Sequence, residues 1–516
     1  MSPEIMIQLG MGLPLLTLAL VGLTGKIPNL REACTLIISS CLFFVMCCLA
    51  TIVFSGERPE WLLGEMMPGF NIAFKVEPLG MLFAMVASGL WILTTIYAVG
   101  YMRGHNEKNQ TRFFACFAVA IFAAIAAAFS ANLFTLFVAY EVMTISTYPL
   151  VTHHGNEKAK KGGRVYLGIL LSTSVAFFMF AIAWTWAISG TLDFRDGGIL
   201  GLPHSEGKIT DGQLGILLGL FAFGIGKAAL MPFHRWLPAA MVAPTPVSAL
   251  LHAVAVVKVG VFSVLKVAIY VFGIDLMSDT GISEWLCYAA GTTILLASLV
   301  AMTKDNLKAR LAYSTISQLA YITLGAALAT QASVIGGGMH IAMHAVGKIT
   351  LFFCAGAIYV GAHKTDISDM RGLGRAMPFT FGAFLIASIS IIGLPPGGGA
   401  WSKWFLAVGA VDSGKLWLMA ALMISSLLNI AYLIPISIQG FMTPKGQEPM
   451  KFHEAPLMCV VPLCITAVGT IVLFLFADHI YQWLLPITTG AWDEPRISRI
   501  QHKSDEAQRR KARLLR

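Results

Sequence analysis

Gly224-Ile225-Gly226-Lys227-Ala228-Ala229-Leu230-Met231-Pro232-Phe233-His234-Arg235-Trp236-Leu237-Pro238 is the stretch that decides the fold class. It closes an apolar run that begins near residue 214, and it holds a lysine too deep to snorkel. Two glycines precede Lys227 and a proline follows, and both weaken helical hydrogen bonding, so a membrane helix broken at the lysine is expected. A charge at mid-bilayer costs about 2.5–3.5 kcal/mol on insertion scales and marks an ion or proton path by default.

The whole chain supports a bilayer setting. Of its 516 residues, 57% are apolar and 12% charged, against roughly 45–50% and 25% in a soluble domain. Such a chain cannot cover its surface with polar groups. A spanning helix needs about 20 mostly apolar residues. Fourteen candidates meet this, at 6–24, 33–54, 79–101, 113–129, 132–150, 165–188, 214–231, 246–270, 284–302, 317–330, 333–360, 379–407, 416–438 and 455–477. Two nearly fused pairs break at Ser130-Ala131-Asn132 and at Thr330-Gln331-Ala332-Ser333. The alternating segments of a transmembrane barrel are not visible. The start, Met1-Ser2-Pro3-Glu4, lacks a basic n-region, so the first span is expected to be retained.

A formal charge of +9 invites a nucleic-acid reading, but its placement argues otherwise. Of 36 basic residues, eighteen fall in odd-to-even loops and five in even-to-odd loops. By the positive-inside rule the first set is cytoplasmic, which places both termini outside for fourteen spans. The tail 493–516, with eight basic residues, disagrees with that side. The nine cysteines all lie in or at the edge of spans and none forms a CxxC pair, so no metal or redox cofactor is expected.

Five basic residues lie inside spans: Lys227, Lys258, Lys266, Lys348 and Lys403; Glu141 is the one acid there. Lysine suits a proton path, because a desolvated amine can load and release a proton while arginine stays charged. Glu141 reads either as a buried carboxyl satisfied by a neighbour or as the partner that tunes a lysine on another helix. Lys258 is mid-span; Lys266, nearer a helix end, reads as a snorkelling side chain. In His340-Ile341-Ala342-Met343-His344-Ala345-Val346-Gly347-Lys348, spacings of four put three protonatable groups on one helical face. A metal or haem reading of the two histidines has no further ligands beside it; a satisfied core pair and a proton-passing column remain open. Lys403 follows Gly393-Leu394-Pro395-Pro396-Gly397-Gly398-Gly399, a second broken helix. Two such breaks, five spans apart, point to inverted repeats.

These motifs, with Ala243-Pro244-Thr245-Pro246-Val247-Ser248-Ala249-Leu250-Leu251-His252 and Lys308-Ala309-Arg310-Leu311-Ala312-Tyr313-Ser314-Thr315-Ile316-Ser317-Gln318, give the chain a family resemblance over about 110–440. It resembles the antiporter-like membrane subunits of Mrp-type cation/proton antiporters, respiratory complex I (NADH:quinone oxidoreductase) and group 4 membrane-bound hydrogenases. The resemblance implies an all-α polytopic membrane protein of about 14 transmembrane helices with two inverted five-helix repeats, each with a broken helix. The expected divisions are helices 1–3 in 1–110, a first repeat in 111–270, a second in 284–438, helix 14 at 455–477 and a basic tail at 478–516. It also implies that Glu141 and Lys227 form a coupled pair, that Lys258 bridges two half-channels, that His344 and Lys348 continue the axis, and that Lys403 ends it. His252 and His340 are weaker carry-overs. Lys403 looks like the Mrp D-type subunit, since the M-type subunit of complex I usually has glutamate there. Pro246 to His252 looks more like complex I or hydrogenase subunits.

The expected function is therefore proton translocation, by an Mrp D-like subunit or by an M/N-type subunit of complex I or a hydrogenase. Implied partners are other membrane subunits, protons, lipid, and sodium or potassium in the assembled complex. No nucleic acid is expected. The implied location is the cell membrane. A self-sufficient sodium carrier fits poorly, since sodium takes oxygen ligands and the spans offer one carboxylate beside four central lysines. A pure scaffold leaves the lysines unexplained.

Overall fold

The computed structural model describes residues 2–442 and 450–489. It is a multi-pass helical membrane protein: among the described residues, eleven helices are long and apolar enough to cross a membrane. The remaining expected spans fall on the helix Leu307–Ala327 and on two interrupted segments. The first interrupted segment runs as a helix over Asp211–Gly224 and then unwinds; the second is the pair Pro378–Ile392 and Gly399–Asp412.

Capping explains the boundaries. Asn132 accepts from Thr135 N (2.7 Å) and opens the helix Leu133–Val151. Thr330 and Ser333 cap each other at the start of Gln331–Ala362. Leu307–Ala327 begins ten residues earlier than the apolar run that predicts it. Asn306 caps it, and its polar first turns are satisfied by backbone: Lys308 donates to Ala243 O (2.6 Å) and Arg310 to Tyr432 O (3.1 Å).

An element absent from the sequence reading is the antiparallel hairpin Glu60–Met67 with Phe70–Lys75. It is laced to the break between the fourth and fifth spans. Asn132 Nδ2 donates to Asn71 O (2.9 Å) and Lys75 N to Phe129 O (2.7 Å). The expected basic tail is helical where it begins, over Ala477–Leu484 and Pro486–Thr489. Its basic residues, and Lys445, lie outside the described residues.

The bundle turns apolar side chains outward, and its largely apolar core encloses a set of buried polar and charged residues. The most hydrophobic 18-residue stretch of Thr245–Phe272 is wholly buried and that of Gln331–Ala362 is 94% buried. Peripheral helices such as Leu416–Phe441 and Leu457–Leu475 reach 39% and turn Leu427, Leu457 and Val468 outward. The two central helices carry three of the five intramembrane lysines, Lys258, Lys266 and Lys348.

Candidate functional site

Lys227 sits in the unwound segment itself, in the 3-10 turn Gly226–Ala228. Unwinding inside a bundle frees backbone groups that must find partners. Lys227 N donates to Tyr140 Oη (3.0 Å), and Trp236 Nε1 donates to Gly226 O (2.9 Å). The ammonium donates to Tyr140 O (2.8 Å) and Thr144 Oγ1 (2.5 Å) and lies 3.0 Å from the Tyr140 ring centroid. Gly260 makes room for this: a Cβ there would sit 2.4 Å from the Lys227 carbonyl carbon. Glu141 follows Tyr140, whose carbonyl and ring hold the Lys227 ammonium, and makes no direct ion pair with it. Both its carboxylate oxygens are shielded and lack a hydrogen-bond partner among the described residues.

On the two central helices the structure joins two predicted residues directly. Lys258 Nζ donates to His344 Nδ1 at 2.6 Å, with both side chains buried. The His344 and His340 rings stack at 5.6 Å. His340 Nδ1 is 2.9 Å from Ser402 Oγ, on the residue before Lys403. The outer nitrogens of both rings, Nε2, have no hydrogen-bond partner among the described residues. The His252 ring packs at a tilt against Phe352 (centroids 4.8 Å apart), and neither of its ring nitrogens is hydrogen-bonded among the described residues. One turn beyond His344, Lys348 Nζ donates to Ser314 Oγ (2.6 Å), which also accepts from Tyr432 Oη (2.9 Å).

Lys403 differs from Lys227 in placement. It lies on the regular helix after the second break and reaches back over it, past Gly393. That glycine has φ +94°, and a Cβ on it would meet the Lys403 Cδ at 2.7 Å. Lys403 Nζ donates to Ile392 O (3.1 Å), the last carbonyl of Pro378–Ile392, and to Ser426 Oγ (3.3 Å). A cation at a helix C-terminus sits on the negative pole of the helix dipole. The Tyr321 ring is 4.6 Å from the same ammonium.

Lys266 corrects the sequence reading. It does not snorkel; it is buried in an ion pair with Glu77 (2.6 Å) and donates to Ser130 O (2.5 Å). Sequence reasoning missed this pair and the hydroxyls of Thr144, Ser314, Ser402 and Ser426.

Two cavities open at opposite ends of Thr245–Phe272. One, of about 570 Å³, holds Thr245, His105, Glu107 and Lys308 and lies among the loops read as cytoplasmic. The other, of about 600 Å³, holds Tyr270, Glu77 and Ser130.

A polytopic helical bundle with buried lysines and histidines and two interrupted helices defines the class of membrane protein, and comparisons with known proteins assign the family. The family model described as "NADH:quinone oxidoreductase/Mrp antiporter, TM" matches residues 130–429, more than half of the chain. A second, described as "NADH-Ubiquinone oxidoreductase (complex I), chain 5 N-terminus", matches 66–114. The chain belongs to the NADH:quinone oxidoreductase/Mrp antiporter family of membrane subunits. It is 29% identical to NADH-quinone oxidoreductase subunit N of Desulforudis audaxviator, over 85% of this chain and 89% of that one. It is 27% identical to the D-type subunit of the Na(+)/H(+) antiporter of Alkalihalophilus pseudofirmus, over 86% and 88%. Among solved structures, a chain of the Mrp complex from Dietzia sp. DQ12-45-1b shares the fold, with a TM-score of 0.83 at 20% identity, covering 96% of this chain and 98% of that one.

Proposed function

We propose that this chain is the proton-conducting, D-like member of a multisubunit Mrp-type monovalent cation/proton antiporter in the cell membrane. Protons pass along Glu141, Lys227, Lys258, His344, Lys348 and Lys403, with His340 and His252 at its flanks. The observation that carries this reading is the direct Lys258–His344 hydrogen bond, which links the two buried central helices. It sits in a row whose ammonium groups rest on carbonyls, hydroxyls and an imidazole instead of carboxylates. A lysine held so can give up a proton without leaving a carboxylate unpaired. The two breaks support inverted repeats at 111–270 and 284–438, and the basic loops support a cytoplasmic side at the cavity beside Thr245.

The test is proton transport by the complex purified with its native partners and reconstituted into liposomes. Lys227→Ala and Glu141→Gln are expected to abolish transport and leave membrane insertion intact. Wild-type transport by either variant sinks the reading. A second reading, an M/N-type subunit of NADH:quinone oxidoreductase or of a group 4 hydrogenase, draws on the 29% identity to an N-type relative. Co-purifying proteins separate the two: further antiporter subunits favour the first, iron–sulfur or nickel-site subunits the second.

A further inference from the structure

We infer that Lys266 and Glu77 form a protonatable gate through which the first repeat exchanges protons with the cavity lined by Glu77, Ser130 and Tyr270. The inference rests on the reading of the lysine row as a proton path.

Three observations converge on it. First, Lys266 shares a helix with Lys258, eight residues away, so about 12 Å of helix separates them. This helix starts in one cavity, at Thr245, and reaches the other at Tyr270. Second, the Lys266 ammonium is buried yet touches two groups that line the second cavity, Glu77 and Ser130 O. Third, the cavity carries charge beyond what closing a loop requires. Lys75 is paired with Glu60 at 2.8 Å, and Arg58, Arg195 and Asp196 join them on its wall. The loops that form this wall are those read as external.

A buried pair that only staples two helices has no need of an open, charged vestibule of about 600 Å³ against its carboxylate. The step is a simple one. The Lys266 ammonium passes a proton to the Glu77 carboxylate, leaving a neutral amine and a carboxylic acid. The acid releases the proton into the cavity, and the amine is reloaded from the Lys258 side. The Phe262 ring, four residues from each lysine along the helix, lies 5.5 Å from Lys266 Nζ. Glu77 and Lys266 thus give the first repeat its own outlet, separate from Lys403.

The test uses the reconstituted complex carrying Glu77→Gln or Lys266→Met, with Glu77→Asp as the conservative control. Both neutral variants are expected to transport protons at least tenfold more slowly at wild-type assembly, and Glu77→Asp to keep most of the rate. A wild-type rate from either neutral variant overturns the gate. If both lose assembly as well, a water-soluble carbodiimide added to the outer face of the wild-type complex decides. Labelling of Glu77 found by mass spectrometry supports the gate, and an unlabelled Glu77 overturns it. Lys227→Ala run alongside keeps the two readings apart. If it also transports normally, the lysine row fails; if it alone is inactive, only the gate fails.

Discussion

Thr144→Val removes one hydroxyl and keeps the shape of the side chain. In the structure that hydroxyl accepts from the Lys227 ammonium at 2.5 Å and donates to Tyr140 O at 3.1 Å. The ammonium has two hydrogen-bond acceptors, Tyr140 O and Thr144 Oγ1, both buried. A hydrogen bond to a charged group is worth about 1.5–3 kcal/mol. Losing one of the two therefore weakens the hold on the ammonium by that amount, roughly 10- to 150-fold at 1.4 kcal/mol per decade. The Tyr140 ring contact and the Lys227 N to Tyr140 Oη bond survive, so the broken helix keeps its anchor. Proton uptake by the reconstituted complex at pH 7 is expected to fall by at least tenfold. Thr144→Ser, which keeps the hydroxyl, is expected to stay within about twofold of wild type. Equal rates from valine and serine variants refute the claim that Thr144 helps hold the transported proton at Lys227.

The Lys258–His344 bond yields a coupling that a double-mutant cycle can read: Lys258→Met, His344→Leu and the pair together are expected to show roughly 0.5–3 kcal/mol of non-additivity in unfolding free energy, and additive effects remove the bond from the account. Gly260→Ala forces a methyl against the Lys227 carbonyl; overpacking of this kind costs about 1–3 kcal/mol, so a lower thermal midpoint in detergent with reduced transport is expected, and an unchanged midpoint contradicts the close approach. At the end of the bundle read as cytoplasmic, burial first, then the charge on Arg112 and the neighbouring His154, push His153 down to about 4. The folded protein then excludes a proton that the unfolded chain accepts below its usual value of 6.5, so stability is unchanged above about 6.5 and is lost as pH falls from there toward 4. Thermal midpoints measured across that window are expected to fall less steeply in His153→Gln.

Lysines were easy to read because a charge inside an apolar run has few structural explanations. Their partners were not. Ser314, Ser402 and Ser426 are small hydroxyls of a kind scattered through every span, and only the fold shows which of them meets an ammonium. Lys266 misled for a related reason. Its distance from the helix end fits snorkelling, and the acid that holds it, Glu77, stands at the head of another span far away in sequence. The two breaks were legible from Gly and Pro, yet their difference was not: Lys227 lies within the unwound turn and Lys403 beyond it. The hairpin escaped notice because register shifts at Leu62/Gly64 and Glu65/Met67 spoil the two-residue period that marks a strand. Helix Leu307–Ala327 was cut short because its start is polar, and polar residues there are satisfied by carbonyls of other segments.

The complete burial of Thr245–Phe272 bears on how the protein is made. This helix carries His252, Lys258 and Lys266, and each central lysine adds about 2.5–3.5 kcal/mol to the cost of entering lipid alone. The helix Gln331–Ala362, which covers it and supplies the acceptor for Lys258, is synthesised later. A newly made Thr245–Phe272 segment therefore has partners for Lys266 on earlier segments, Glu77 and Ser130, but none yet for Lys258. Until Gln331–Ala362 follows, the insertion cost of Lys258 stands without the imidazole that offsets it in the folded bundle.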